Sequence, residues 1–451
     1  MTRLALLLGL LALVAPVGAL GRGGSPAARD TSIFYYPWYG TPKWDGSYLH
    51  WDQDGHVPPL DLATAYYPAR GPYSSADPRV VAAQMRDIAG AGIKEVVSSW
   101  WGWGSIEDQR LPMIVRMATN LGLEVAVQIE PYDGRTAESV AADFAHLRQL
   151  GITRFYVYHP FTIDESDWAP VLQAVTGIQV LAQTTNVARA QAAHFAGIYT
   201  YDVASFGPST FGPLCARAHK AGLLCAPSVG PGYNALRATG DTRQRGRNDG
   251  ATYDAMWKSA IQAGADRVTI TSYNEWHEGT QIEPALTPLP RQLDVAGGGT
   301  ASPVAASYAT YDGAYGLHGK RASRAYLVRT AYWTAMYGSG APAPASAGRK
   351  AAFCPEGKRM ATSAAPAPRA RAATGARSAF NLRLNARITR LLAAVRATGH
   401  DSGAYPLAHA APVGLRGQYH GPASESPSAR IARTAARSTR GKMLASCGKG
   451  G

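Results

Sequence analysis

Between Thr31 and Gly338 the chain alternates short apolar runs with longer stretches whose apolar residues recur every three or four positions. The short runs are Ile33–Tyr36, Glu95–Trp100, Glu124–Ile129, Arg154–Tyr158, Ile178–Gln183, Ile198–Asp202, Leu223–Pro227 and Arg267–Ser272. They are rich in Val, Ile, Thr and aromatic residues and carry few charges inside, as strands buried on both faces do. The longer stretches include Arg79–Ala91, Leu111–Leu121, Ala137–Leu150, Gly212–Ala221, Tyr253–Ala263 and a last one near Ser323–Met336, and they have the period of amphipathic helices. Eight strands, each followed by a helix, predict an α/β protein, a (β/α)8 TIM barrel over residues 30–338. A doubly wound open sheet is the competing arrangement, but no glycine-rich phosphate turn follows the first strand.

In such a barrel the active site lies at the C-terminal ends of the strands. Those ends carry Tyr36 to Tyr39, Trp100 to Trp103, Glu130 with Tyr132, His159, Tyr201 with Asp202, and Ser228 to Tyr233. The last strand runs into Asn274-Glu275-Trp276-His277-Glu278, placing two carboxylates three residues apart. Charge at the end of a buried strand is costly unless it is solvated, paired or used. A solvated exposed loop is the bland reading. Two carboxylates among aromatic rings that can stack on sugars point instead to the acid/base pair of a glycosidase. The long first loop, Gly40 to Pro78, is polar and aromatic, and the glycine-rich stretch at Gly297 is a candidate flap.

Charge divides the chain. From residue 341 onwards there are 18 Lys/Arg and 3 Asp/Glu, leaving 27 against 28 in the preceding part. The electroneutral body gives no reason to expect a nucleic-acid partner. Residues 339–451, rich in Ala, Arg and Pro, are expected to be a disordered, low-complexity tail. An arginine-interleaved patch there, Phe380 to Val395, could touch an anionic surface such as a cell wall. Residues 1–19 have the charged start, apolar core and small residues of a secretory signal, so a secreted or cell-surface protein is expected, anchored if the segment is retained. The 4 cysteines are too few for a disulfide scaffold. Cys215 and Cys225 read as core residues, while Cys354 and Cys447 are free to pair in the tail. His277-Glu278 is not followed by the second histidine of the HExxH zinc motif, and no motif calls for a metal or organic cofactor.

The stretch from Ile33 to Pro284 carries, in order, Phe34-Tyr-Tyr-Pro-Trp-Tyr-Gly40, His50-Trp51, Tyr73 to Pro78, Ile129-Glu-Pro-Tyr132, Ile198-Tyr-Thr-Tyr201, Pro227 to Tyr233, and Ser272 to Pro284. By these motifs it resembles glycoside hydrolase family 99, the endo-α-1,2-mannosidases. It weakens after Pro284, and His50-Trp51-Asp52-Gln53 departs from a pattern that usually carries a second histidine. The resemblance implies a (β/α)8 fold and cleavage inside α-mannose-containing glycans with retention. It implies Glu278 as general acid/base and Glu275 as base on the substrate's 2-hydroxyl. It further implies Glu130, Tyr201, either Tyr36 or Tyr39, and a tryptophan of the Trp100–Trp103 cluster (Trp101 or Trp103 among them) as substrate contacts; with the strand-end residues and matched stretches, His50, Trp51, Tyr233 and Asn274 complete the candidates. The expected protein is a monomer acting on α-mannan or a related α-mannoside. An α-glucan hydrolase and a non-catalytic wall-binding protein are the alternatives.

Overall fold

The structure, a computed structural model, describes residues 29–289, 293–295, 299–301 and 308–343. The segment 1–19, the tail patch Phe380 to Val395, Cys354 and Cys447 lie outside these residues. Among the described residues no helix is long and apolar enough to cross a membrane.

Eight parallel strands form a closed ring: Asp30–Tyr35, Glu95–Trp100, Glu124–Ile129, Arg154–Val157, Gln179–Gln183, Gly197–Tyr199, Leu224–Ala226 with Ser228–Val229, and Arg267–Ile270. The seventh strand is split at Pro227, which has no N–H to donate to a ladder. Its first half pairs with the sixth strand (Gly197 opposite Leu224) and its second half with the eighth (Ser228 opposite Thr269). The eighth strand pairs with the first, Ile270 opposite Ile33, and the ring closes. Each strand is followed by a helix: Pro78–Gly90, Ile106–Thr119, Ala137–Arg148, Glu165–Ala174, Val187–Ala192, Pro208–Lys220, Ala251–Gln262 and Ala325–Gly338. The predicted barrel is the observed one. The fourth helix has Pro170 inside it and the fifth has six residues, too few for a clear helical period.

Side chains cap several helices where their backbone N–H groups lack partners. Asp77, Ser105, Thr136 and Asn186 each accept a bond from the first turn that follows. The barrel interior is filled by Phe34, Tyr156 and Tyr199, whose rings lie 5.2 to 5.8 Å apart. Below them Glu95 is buried, accepting from Ser32 Oγ at 2.7 Å, Tyr156 OH at 2.9 Å and Arg267 at 3.2 Å, with Arg154 on its other oxygen.

Cys215 and Cys225 are buried, as the sequence suggests, but they form a disulfide, with Cα atoms 5.2 Å apart. The bridge fastens the sixth helix to the seventh strand. A ten-residue spacing alone does not reveal that this helix turns back onto the strand that follows it. The glycine-rich candidate flap is bounded by a two-stranded ladder, Leu293–Val295 with Gly299–Ala301.

Removing one member of a buried ion pair leaves the other uncompensated, at a cost of about 3–5 kcal/mol. Glu95→Ala should therefore lower the unfolding free energy by roughly 3 kcal/mol, the low end because Arg154 keeps Glu124 as a partner. Urea unfolding of the variant checks this, and a midpoint equal to that of the native chain would remove Glu95 as a keystone of the barrel floor.

Candidate active site

The C-terminal ends of the strands surround a cleft of about 580 Å³. Its wall is built around the loop that follows the eighth strand. Ser272 starts that loop: its N–H donates to Thr280 O at 3.1 Å, and its hydroxyl accepts the N–H of Glu275 at 2.8 Å. Glu275 is thus fixed by the backbone that leads to it. Gly279 closes the loop at a φ of 62°, and a Cβ there would lie 2.9 Å from Asn234 O. Only glycine fits that turn, which lets Asn234 N–H bond Glu278 O at 2.7 Å. From outside, Arg247 donates to the carbonyls of Gly279 at 2.9 Å and Gln281 at 2.7 Å.

Eight of the twelve residues singled out from the sequence line this cleft: Tyr36, His50, Trp101, Glu130, Tyr201, Tyr233, Glu275 and Glu278. Asn274 does not. It is fully buried, and its amide accepts from Tyr36 N at 2.8 Å and donates to Tyr36 O at 2.9 Å, acting as a clamp between the first and eighth strands. Tyr39 is likewise a support: its hydroxyl donates to Asn274 O and accepts from Trp276 N, each at 3.1 Å. Trp51 stacks behind it at 4.2 Å and donates to Tyr73 O. Trp103 stands outside, 63% exposed, edge-on to His146. Aromatic character alone does not tell a cleft ring from a supporting one, because both pack against apolar surface.

Several lining residues carry no recognisable signal of their own, among them Gln128, Tyr158 and the Asp241–Arg243 segment. Arg243 pairs with Asp241 at 2.7 Å and Asp202 at 3.1 Å, and its guanidinium lies 5.5 Å from the Tyr233 ring centre. Trp38 and His277, which flank predicted residues in the sequence, also line the cleft; Trp38 stacks flat on His50 at 4.6 Å.

Three carboxylates meet in this cleft, and burial lifts each of them. Glu275 is held well above the usual carboxylate range by burial and then by the charge of Glu278. Glu278 is pushed up to about 8 by burial and the nearby Asp202, against the opposing pull of Tyr201 and Arg243. Glu130 is raised to about 7 by burial, although Ser99 Oγ and Gln128 Nε2 both donate to its Oε1 at 2.8 Å. Tyr201 adopts a left-handed backbone with φ of 54°, unusual outside glycine. Ser228 Oγ accepts its N–H at 2.8 Å and Thr271 Oγ1 donates to its carbonyl at 3.1 Å. Held so, the Tyr201 hydroxyl donates to Glu278 at 3.2 Å and meets Tyr36 OH.

Residues 27–295 match the profile of glycosyl hydrolase family 99. The chain belongs to that family. A family 99 protein is a glycoside hydrolase, and the relatives agree with this assignment. The glycoprotein endo-alpha-1,2-mannosidase-like protein of Danio rerio is 33% identical over 314 residues, covering 57% of this chain and 71% of that protein. The glycoprotein endo-alpha-1,2-mannosidase of Rattus norvegicus is 30% identical over 310 residues, 56% of this chain and 67% of the relative. The family 99 endo-alpha-mannosidase of Bacteroides thetaiotaomicron superposes with a TM-score of 0.59 at 29% identity, covering 69% of this chain and 98% of that structure.

Because the Tyr201 hydroxyl favours ionised Glu278, Tyr201→Phe should raise the pH at which Glu278 titrates. Side-chain 13C NMR of labelled glutamate reads this directly. A Glu278 resonance that titrates unchanged or at lower pH would show that the hydroxyl does not bear on it.

Proposed function

We propose that this family 99 hydrolase cleaves internal α-mannosidic bonds with retention of configuration. The carrying observation is that Glu275 and Glu278 share one loop and one cleft, each raised by burial and by nearby negative charge. Such a pair holds a single proton between its members over a wide pH range. The names of the relatives supply the sugar: endo-alpha-1,2-mannosidase and endo-alpha-mannosidase.

A one-proton pair suits the chemistry proposed here at every stage. Protonated Glu278 donates to the glycosidic oxygen as the C1–O bond breaks. Ionised Glu275 takes the proton of the substrate's 2-hydroxyl, and that oxygen's electron pair attacks C1 from the opposite face. In an α-mannoside the axial 2-oxygen stands anti to the leaving group, so the attack is in line. Glu278, now ionised, next takes a proton from water, whose oxygen attacks C1 on the face the leaving group vacated. The C1–O2 bond opens and Glu275 returns its proton to O2. The pair carries one proton before, between and after the two steps. A sugar hydroxyl donating to Glu275 favours the productive placement of that proton on Glu278. Tyr36, Trp38 and Trp101 supply ring faces, and Glu130 an acceptor, along the cleft floor and wall.

We also read the protein as exported. The Cys215–Cys225 bridge suits an oxidising compartment and agrees with the leader-like residues 1–19.

The full chain incubated with α-1,2-branched mannan should release oligosaccharides, first in the α configuration. Exclusive release of β products, or activity on α-glucan alone, would overturn the reading. Glu278→Gln should lose about 10³-fold in kcat/KM, within the range for a general acid. Glu278 must be protonated to act, and its pKa is raised to about 8, so activity should fall as pH rises through that value. On the acid side it should fall as Glu275 protonates. An activity that stays level from neutral to strongly alkaline pH is the outcome that excludes Glu278 as the acid.

A further inference from the structure

We propose that His277 shares the proton that Glu275 takes from the substrate, and thereby sets the basicity of that carboxylate. The proposal rests on the base role given to Glu275 above. His277 is buried two residues beyond Glu275 in the same loop. Its Nε2 bonds the backbone carbonyl of His50. A carbonyl only accepts, so Nε2 carries a hydrogen and the tautomer is set. The other nitrogen, Nδ1, lies 3.5 Å from Glu275 Oε1.

Burial pushes the His277 imidazole down to about 4, so it is neutral in the range where such a hydrolase works. Neutral, with Nε2 protonated, it has a bare Nδ1 3.5 Å from Glu275 Oε1. That nitrogen and the ionised carboxylate then lie together with no hydrogen of the ring between them. The contact becomes attractive once a proton lies there, whether it is drawn on Oε1 or on Nδ1. That is the state reached when the O2–H bond of the sugar breaks and its hydrogen passes to Glu275. When O2 takes the proton back, the contact returns to its first form, and His277 ends unchanged.

Other groups around Glu275 are placed for different work. The backbone N–H of His277 donates to Oε1 at 3.1 Å and favours the ionised form. Glu278 on the same loop and Glu130 from the third strand add negative charge. The phenols of Tyr36 and Tyr39, just past the first strand, and of Tyr201, just past the sixth, are all influenced by the Glu275 charge. The His50 ring, 5.7 Å from that of His277, is pushed down to about 3 by burial and stays neutral. Among the described residues, His277 is the imidazole within 4 Å of Glu275.

The test is the acid limb of the kcat/KM profile of the full chain on mannan. In His277→Gln the longer amide can still donate to His50 O but leaves no acceptor at the Nδ1 position. Glu275 then holds its proton less tightly, so the limb should move down by about one pH unit and kcat should fall about tenfold, with KM little changed. His277→Asn, whose oxygen can reach the Nδ1 position, should recover the limb. A fall in kcat with the limb in place would reduce His277 to a packing residue. If the variants do not fold, 15N NMR of the native imidazole decides: Nδ1 should respond to the Glu275 titration while Nε2 does not, and in Glu275→Gln the response should vanish. An Nδ1 shift that ignores that titration overturns the proposal. Full activity in Glu275→Gln would instead sink the base role itself, whatever His277 does.

Discussion

Two carboxylates on one short loop, buried together in one cleft, cannot both be ionised cheaply. Desolvation raises the cost of each charge, and the second charge is opposed by the first as well. The Glu275–Glu278 pair therefore keeps a proton that solvated glutamates would have lost. Much of the surrounding architecture holds these two groups close together against their repulsion.

That holding is done by backbone and buried side chains rather than by the barrel alone. Asn274 ties the end of the eighth strand to Tyr36 through a pair of hydrogen bonds, in effect extending the ladder beyond the strands. Tyr39 bonds Asn274 and Trp276, on either side of Glu275, in the loop after the eighth strand. Behind it, Glu283 accepts from Tyr73 at 2.8 Å, Gln84 at 2.9 Å and Trp276 at 3.0 Å, so a third glutamate close in sequence to the pair is spent on supporting contacts outside the cleft. Arg247, surrounded by the rings of Tyr66, Tyr311 and Tyr326 at 4.6 to 4.7 Å, anchors the far side of the loop. Such contacts from behind hold Glu275 and Glu278 in one fixed arrangement.

The split of the seventh strand at Pro227 serves both closure and site. Its second half reaches the eighth strand, and the same Ser228 that pairs there accepts the N–H of Tyr201. Barrel closure and the strained backbone of Tyr201 are thus coupled through one residue.

The order of strands and helices, the end of the eighth strand and its two glutamates were legible in the sequence. Alternating periods are local properties, and a carboxylate pair within four residues keeps its spacing however the chain folds. Family membership was legible for the same reason, through short contiguous motifs. Tertiary structure alone separated Tyr36, Trp38 and Trp101 in the cleft from Tyr39 and Trp51 behind it and Trp103 outside. It alone joined Cys215 to Cys225, brought Arg243 against Asp202 and Tyr233, and set Nδ1 of His277 3.5 Å from Glu275 with Nε2 bonded to His50 O. Each of these depends on distances between elements far apart in the chain or on the direction a side chain takes once packed, and neither is written in periodicity or composition.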